Sequence, residues 1–200
     1  MEARRIVATL RSTSVVVLAA GLSRRYGASN KLLASFGGKP LAMHIAQTLA
    51  DLPFSRRIAV CAEDDLRLAD LFIERGFEIA RNANPERGQA SSLSIGVRTA
   101  ARTGPEAIVI CLADMPFVPA SVVKSLVRMI GKADAAGIVA TAGVHACVAG
   151  PPAIFARAHF QSLMSLEGDM GARALLRAAR ILPVPDECLA DFDTRQDFTT

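Results

Sequence analysis

The sequence predicts an α/β fold, a three-layer α/β/α sandwich around a mainly parallel sheet. Three observations carry this. Short runs rich in Val, Ile and Ala recur and stay apolar on both sides of the two-residue period, as strands covered on both faces do. Segments with apolar residues at helical spacing alternate with them, which builds βαβ units. The chain has 200 residues, 51% of them hydrophobic, enough for one domain with a sizeable core and cramped for two.

The elements follow in order. Val15–Ala19 reads as the first strand, and Gly21 stops it. Leu41–Leu52 places Leu41, Ile45, Thr48 and Leu49 on one helical face. Arg57–Cys61 is a strand, Asp64–Arg75 a helix with Leu68, Leu71 and Phe72 inward, and Phe77–Ala80 a strand. Helix Ala90–Ala101, strand Ala107–Cys111, helix Ser121–Ile130 and strand Gly137–Thr141 come next, with Pro119 and Gly131 bracketing the second helix. The pattern loosens after Gly143: a turn cluster at Ala149-Gly150-Pro151-Pro152, a short apolar piece at Ala153–Phe155, and a helical pattern at Asp169–Ala179. No linker, repeat or low-complexity tract divides the chain. Residues 1–200 are therefore expected to form one domain, with 1–13 as an N-terminal extension and about 143–200 as a lobe closing over a site.

Composition excludes several classes. The net charge of +4 is modest and the arginines are scattered, so no basic face marks a nucleic-acid partner. No apolar run approaches the roughly 20 residues of a membrane span. Cys61, Cys111, Cys147 and Cys188 lie far apart without zinc-ligand spacing, and the first two end apolar runs, as buried thiols of a reduced cytoplasmic protein do. Met1–Ala20 has the outline of a secretory leader. Arg11, Ser12 and Thr13 break its apolar stretch, however, and cleavage there removes the first strand. A cytoplasmic location is expected.

Four stretches carry chemistry. From Gly21 to Lys31 a strand delivers a glycine-containing cationic loop with Ser23, Arg24, Arg25, Gly27 and Lys31. It is neither a Walker A loop nor GxGxxG, but backbone N–H groups there are free to approach phosphate oxygens while Arg24 and Lys31 add charge-assisted bonds. A solvated basic loop is the plainer use of the same residues. In the second stretch, Cys111-Leu112-Ala113-Asp114-Met115-Pro116, a carboxylate lies just past a buried strand. That is the sheet edge where α/β ligands bind, so Asp114 meets the loop, and a carboxylate beside a polyphosphate holds Mg²⁺. A turn or capping aspartate is the alternative. In the third, Asn84 to Ser92, Asn84, Gly88 and Ser92 sit where a helix N-terminus meets an anion or a base edge; capping by Ser91 is the structural alternative. In the fourth, Asp191-Phe192-Asp193-Thr194, two carboxylates one residue apart share a side if extended, and they serve either a metal or substrate, or the cap of a terminal helix with Asp197 in its first turn. His44 reads as a core residue, His145 and His159 have no evident partner, and no GxSxG supports a hydrolase triad.

Taken together, these stretches resemble the MobA-like NTP transferase family, and within it the molybdenum cofactor cytidylyltransferases. The matching residues are Leu18-Ala19-Ala20-Gly21, Ser23, Arg24, Gly27, Asn30-Lys31-Leu32-Leu33, Gly38-Lys39-Pro40-Leu41, Asn84-Pro85, Gly88, Ser91-Ser92-Leu93, Gly96, Leu112, Asp114-Met115-Pro116, Gly168-Asp169, Gly171-Ala172-Arg173 and Asp191-Phe192-Asp193-Thr194. The resemblance implies a Rossmann-like nucleotidyltransferase fold and transfer of CMP from CTP to molybdopterin cofactor, with release of pyrophosphate. It implies that Leu18 to Gly21 contact the nucleotide, Lys31 its phosphates, Asp114 Mg²⁺, and Asp193 the metal or the pterin phosphate. A hydroxylase apoenzyme of the xanthine dehydrogenase type is the implied recipient of the product. Guanylyltransferase relatives, which use GTP, read LAGG with asparagines in the last motif; LAAG and DFDT here lean toward cytidine. Relatives often read Gly-His-Pro where this chain has Gly150-Pro151-Pro152, and Pro151 lacks both a polar side chain and a backbone donor. Two other functions use the same residues: nucleotidyl transfer to a sugar or polyol phosphate, and a non-catalytic cofactor carrier.

Overall fold

A computed structural model of the chain describes residues 2–22, 26–27, 30–130, 137–145, 148–168 and 172–198. Its core is a seven-stranded sheet. The strands are β1 (Thr13–Ala19), β4 (Arg56–Ala62), β5 (Glu78–Asn82), β6 (Ala107–Leu112), β7 (Ile138–Gly143), β8 (Gly150–Ala156) and β9 (Arg180–Val184). The two strands between β1 and β4, β2 (Ser35–Phe36) and β3 (Lys39–Pro40), form a separate hairpin. The sheet order is β5-β4-β1-β6-β8-β7-β9. Only β8 runs antiparallel to its neighbours; β1 pairs in parallel with β4 and β6, β4 with β5, and β7 with β9. This is the expected mainly parallel sheet.

β1 shows why the sandwich forms. All seven of its residues are buried. Val15, Val17 and Ala19 join one apolar cluster and Val16, Leu18 and Ala20 the other, so successive side chains feed opposite faces of the sheet. The first face is covered by α1 (Glu2–Arg11), α2 (Ala42–Ala50), α3 (Leu66–Ile73) and α5 (Ala120–Ile130). The second is covered by α4 (Gln89–Ala101), α6 (Phe160–Met164) and α7 (Arg173–Leu176). α4 lies close to the sheet because it carries Gly96. A Cβ there would stand 2.5 Å from Val16 Cγ1 and 2.9 Å from Val60 Cγ2.

Several elements depart from the sequence reading. Residues 2–11 form α1, with Leu10 buried in the first cluster. The turn cluster before Ala153 begins β8. β9, unforeseen, closes the sheet edge. The last predicted helix is reduced to Arg173–Leu176, with residues 169–171 outside the described set. Among the described residues no helix is long and apolar enough to cross a membrane.

The chain passes from β1 outward to β4 and β5, then returns to place β6 on the other side of β1. The order reverses between β1 and β6. In open α/β sheets the ligand crevice lies at such a switch point, beyond the carboxyl ends of the strands. The loops after β1, β5 and β6 all leave from that edge.

Candidate active site

Among the described residues, Lys31 is the cation lining the crevice. It opens a 3-10 turn, Lys31–Leu33, whose preceding residue Asn30 accepts the Leu32 N–H through its side chain at 2.9 Å. Although charged, Lys31 is 8% exposed. Its ammonium donates to Asp114 Oδ2 at 2.7 Å and to Asp193 Oδ1 at 2.8 Å. Burial works to lower its pKa, but the two carboxylates outweigh that and raise it above the ordinary lysine value.

The two carboxylates come from distant parts of the chain. Asp114 lies two residues past β6, at the switch point. Asp193 lies beyond β9 on a segment that crosses back under the β6 loop, where the Phe192 N–H donates to the Asp114 carbonyl at 3.1 Å. Asp197 then accepts the N–H groups of Asp193 and Thr194 at 2.8 and 2.6 Å, which fixes the turn and holds its own pKa low. Asp193 reaches Lys31, while Thr194 and Asp197 close the turn ahead of the terminal 3-10 turn Arg195–Phe198, which is the capping use foreseen for this stretch. Nearby Asp191 has a raised pKa, from burial and then from the Asp114 and Asp193 charges.

Asp114 Oδ1 is buried without a hydrogen-bond partner among the described residues. An acceptor in that condition, beside a second carboxylate, suits a hard cation. No cluster of three or more His, Cys, Asp or Glu side chains completes a cage among the described residues. The expected Mg²⁺ would use one or two carboxylates and take the rest of its shell from phosphates and water.

Lys31, Asp114 and Asp193 lie in a cavity of about 380 Å³. Of the remaining sequence candidates, Leu18, Ala20, Gly21, Gly88 and Ser92 also line it. Ala19 and Asn84 do not. Ala19 faces the opposite apolar layer, as strand alternation requires, and the Asn84 carbonyl accepts Ser91 Oγ at 3.3 Å. Arg24 lies outside the described residues. The capping role for Ser91 is corrected: α4 begins at Gln89 with Gly88 as its cap, so Ser91 sits inside the first turn. Gly88 has φ 89°, a conformation open to glycine at little cost, and joins the 3-10 turn Pro85–Arg87 to α4.

Three supporting groups escaped the sequence reading. Asn82, 1% exposed, donates to Ser91 Oγ and Ser92 Oγ at 2.8 Å each, and its Oδ1 accepts the Asn84 N–H at 3.0 Å. It stitches the glycine loop to α4. Asp65 Oδ1 accepts the Leu68 N–H at the start of α3, while its Oδ2 accepts Asn30 Nδ2. Phe36 packs on Phe117, Phe192 and Phe198, with ring centroids 5.7, 4.7 and 6.3 Å apart. That cluster ties the β2–β3 hairpin, the Asp114 loop and the C-terminal segment together. Asp65 was visible only as one of many possible helix caps, and the rings only as scattered apolar residues. His44 is the satisfied residue expected, its Nε2 on the Phe36 carbonyl at 2.9 Å, and His145 pairs with Asp186.

The profile of the MobA-like NTP transferase domain matches residues 15–184. The chain belongs to this family. A molybdenum cofactor guanylyltransferase of Cereibacter sphaeroides is 33% identical over 141 residues, covering 70% of this chain and 69% of that protein. The purine catabolism protein PucB of Bacillus subtilis (strain 168) is 30% identical over 198 residues, covering 92% of each chain. The crystal structure of an Rv0371c homologue from Mycobacterium sp. strain JC1 superposes with a TM-score of 0.76 at 28% identity, over 94% of both chains. The MobA-like NTP transferase match stops at the end of β9. Asp193 is brought to the site by the segment beyond it.

Proposed function

We propose that this protein transfers a nucleoside monophosphate, CMP from CTP, to the terminal phosphate of molybdopterin cofactor and releases pyrophosphate. The observation that carries the reading is the Lys31 ammonium, 2.7 and 2.8 Å from two carboxylates in a cavity at the sheet's switch point. Family membership and the named activity of the Cereibacter relative support both the reaction class and the acceptor. LAAG and DFDT favour cytidine, while the guanylyltransferase name of that relative favours GTP as the alternative donor.

In the reaction, an oxygen of the acceptor phosphate bonds to the α-phosphorus. The bond from that phosphorus to the oxygen bridging it to the β-phosphate breaks, and pyrophosphate leaves with the electron pair. The acceptor phosphate is already ionised, so no strong general base is required. The protein's part is positioning and charge neutralisation. The backbone at Ala20 and Gly21 approaches the nucleotide, Lys31 offsets phosphate charge together with Arg24, and the turn at Gly88 with Ser92 borders the nucleoside side. Asp114 and Asp193 would hold Mg²⁺, which supplies further neutralisation across the phosphate oxygens. PucB's place in purine catabolism supports delivery of the product to a hydroxylase apoenzyme of the xanthine dehydrogenase type. A cytoplasmic location belongs to the same reading.

The test is pyrophosphate release by the purified protein with molybdopterin cofactor, Mg²⁺ and either CTP or GTP, with the product mass measured. The cytosine dinucleotide is expected. Turnover with GTP alone reassigns the donor. Turnover only with a sugar or polyol phosphate removes the acceptor. Cofactor binding without pyrophosphate release leaves a carrier.

A further inference from the structure

The Lys31 turn is seated by Leu32, buried in the first apolar cluster, and its ammonium meets two carboxylates at 2.7 and 2.8 Å, nearly the same distance. Asn30 connects that turn to a different unit of the fold. Its Oδ1 accepts the Leu32 N–H at 2.9 Å, and its Nδ2 donates to Asp65 Oδ2. Asp65 in turn is fixed at the first turn of α3, where Oδ1 accepts the Leu68 N–H at 3.1 Å. Each carboxylate oxygen of Asp65 therefore has one separate task. Each end of the Asn30 amide also has one.

Resting on the nucleotidyl-transfer reading above, we propose that Asp65 is a positioning residue. The relay from Asp65 through Asn30 to the Leu32 N–H sets the Lys31 ammonium against the phosphates, so the β4–α3 junction governs a group on the β1 loop. Direction is built into the relay: Asp65 accepts twice, and Asn30 donates to Asp65 while accepting from the backbone.

Polarity gives a test that separates positioning from support. Asp65→Asn keeps the helix cap, since Asn caps as well as Asp. It also sets the introduced amide against the Asn30 amide, donor to donor, and turning either amide over loses another bond. Exchanging the two residues, Asn30→Asp with Asp65→Asn, restores every bond. The carboxylate moved to position 30 accepts from the Leu32 N–H and from the amide moved to position 65, and that amide still caps α3 through its oxygen.

The expected result is a folded Asp65→Asn whose melting temperature falls by only about 2–4 °C, the scale of one lost hydrogen bond, and a fall in kcat for pyrophosphate release on the order of a hundredfold, the scale of an ångström misplacement. The exchanged pair recovers most of the rate. Crystal structures of the three proteins should show the Lys31 ammonium displaced from Asp114 and Asp193 only in the single variant. The inference is overturned if Lys31 keeps its place in Asp65→Asn, if that variant turns over like the wild type, or if the exchange restores nothing. A wild type inactive with both CTP and GTP counts against the nucleotidyl reading alone, and the crystal structures still decide the relay.

Discussion

At the residue scale, the site rests on one cation shared by two anions. Asp114→Ala should abolish pyrophosphate release and leave the circular dichroism spectrum unchanged, because Asp114 follows β6 in a loop, outside every helix and strand. Lys31→Ala should lose on the order of a hundredfold in rate, as when one preorganised donor is removed; wild-type turnover by either variant counts against the assignment. Cysteine chemistry belongs at this scale too. Burial pushes the Cys111 thiol up to about 12, and burial with the Asp65 charge does the same for Cys61. A raised thiol pKa means the reactive thiolate forms only as pH approaches that value. Both residues should resist iodoacetamide at pH 8 in the native protein, read by peptide mapping, and react once it is unfolded in urea.

Elements were legible where their pattern was regular. β1, β4 and β6 read as continuous β-branched and apolar runs because they are covered on both faces. β9 did not: Pro183 interrupts it and Ile181 is 42% exposed, both marks of an edge strand, and the edge is where it lies. β8 opens with Gly150, Pro151 and Pro152, which read locally as a turn. α1 carried a helical signal in Ile6 and Leu10, four apart, but its early arginines gave it the outline of a leader. At this scale Gly96 is decisive. On a solvent-exposed helix face Gly→Ala usually stabilises. Gly96→Ala instead drives a methyl into Val16 and Val60, both fully buried, and should destabilise by about 1–3 kcal/mol in urea unfolding. A neutral or higher midpoint would show that α4 shifts freely off the sheet.

Across the whole molecule, the site is assembled by packing between distant segments. Phe192 is 4% exposed and rests on Phe36, Phe117 and Phe198, so rings from the hairpin, the β6 loop and the C-terminal segment close one cluster behind Lys31, Asp114 and Asp193. Arg195 adds a clasp, donating to the Tyr26 carbonyl at 3.2 Å with its guanidinium over the Tyr26 ring. Phe192→Ala should cost about 3–5 kcal/mol. It should also lower kcat at temperatures where the variant remains folded, because Asp193 loses its anchor. Loss of stability with an unchanged kcat would mean that the terminal segment holds Asp193 by its turn alone.

By itself, the order of residues determined the layered α/β architecture, the sheet edge that gathers the candidate site, and the pairing of Lys31 on the loop after β1 with Asp114. These are local quantities: the period of apolar residues, a glycine at a strand end, a carboxylate past a buried strand. Tertiary structure alone decided that Asp193 shares Lys31 with Asp114, that Ala19 and Asn84 stay out of the cavity, and that Asp65 is bonded to the residue before the lysine. Hydrogen bonds and ring contacts between segments from 30 to 198 depend on where the chain returns in space, which no local pattern encodes.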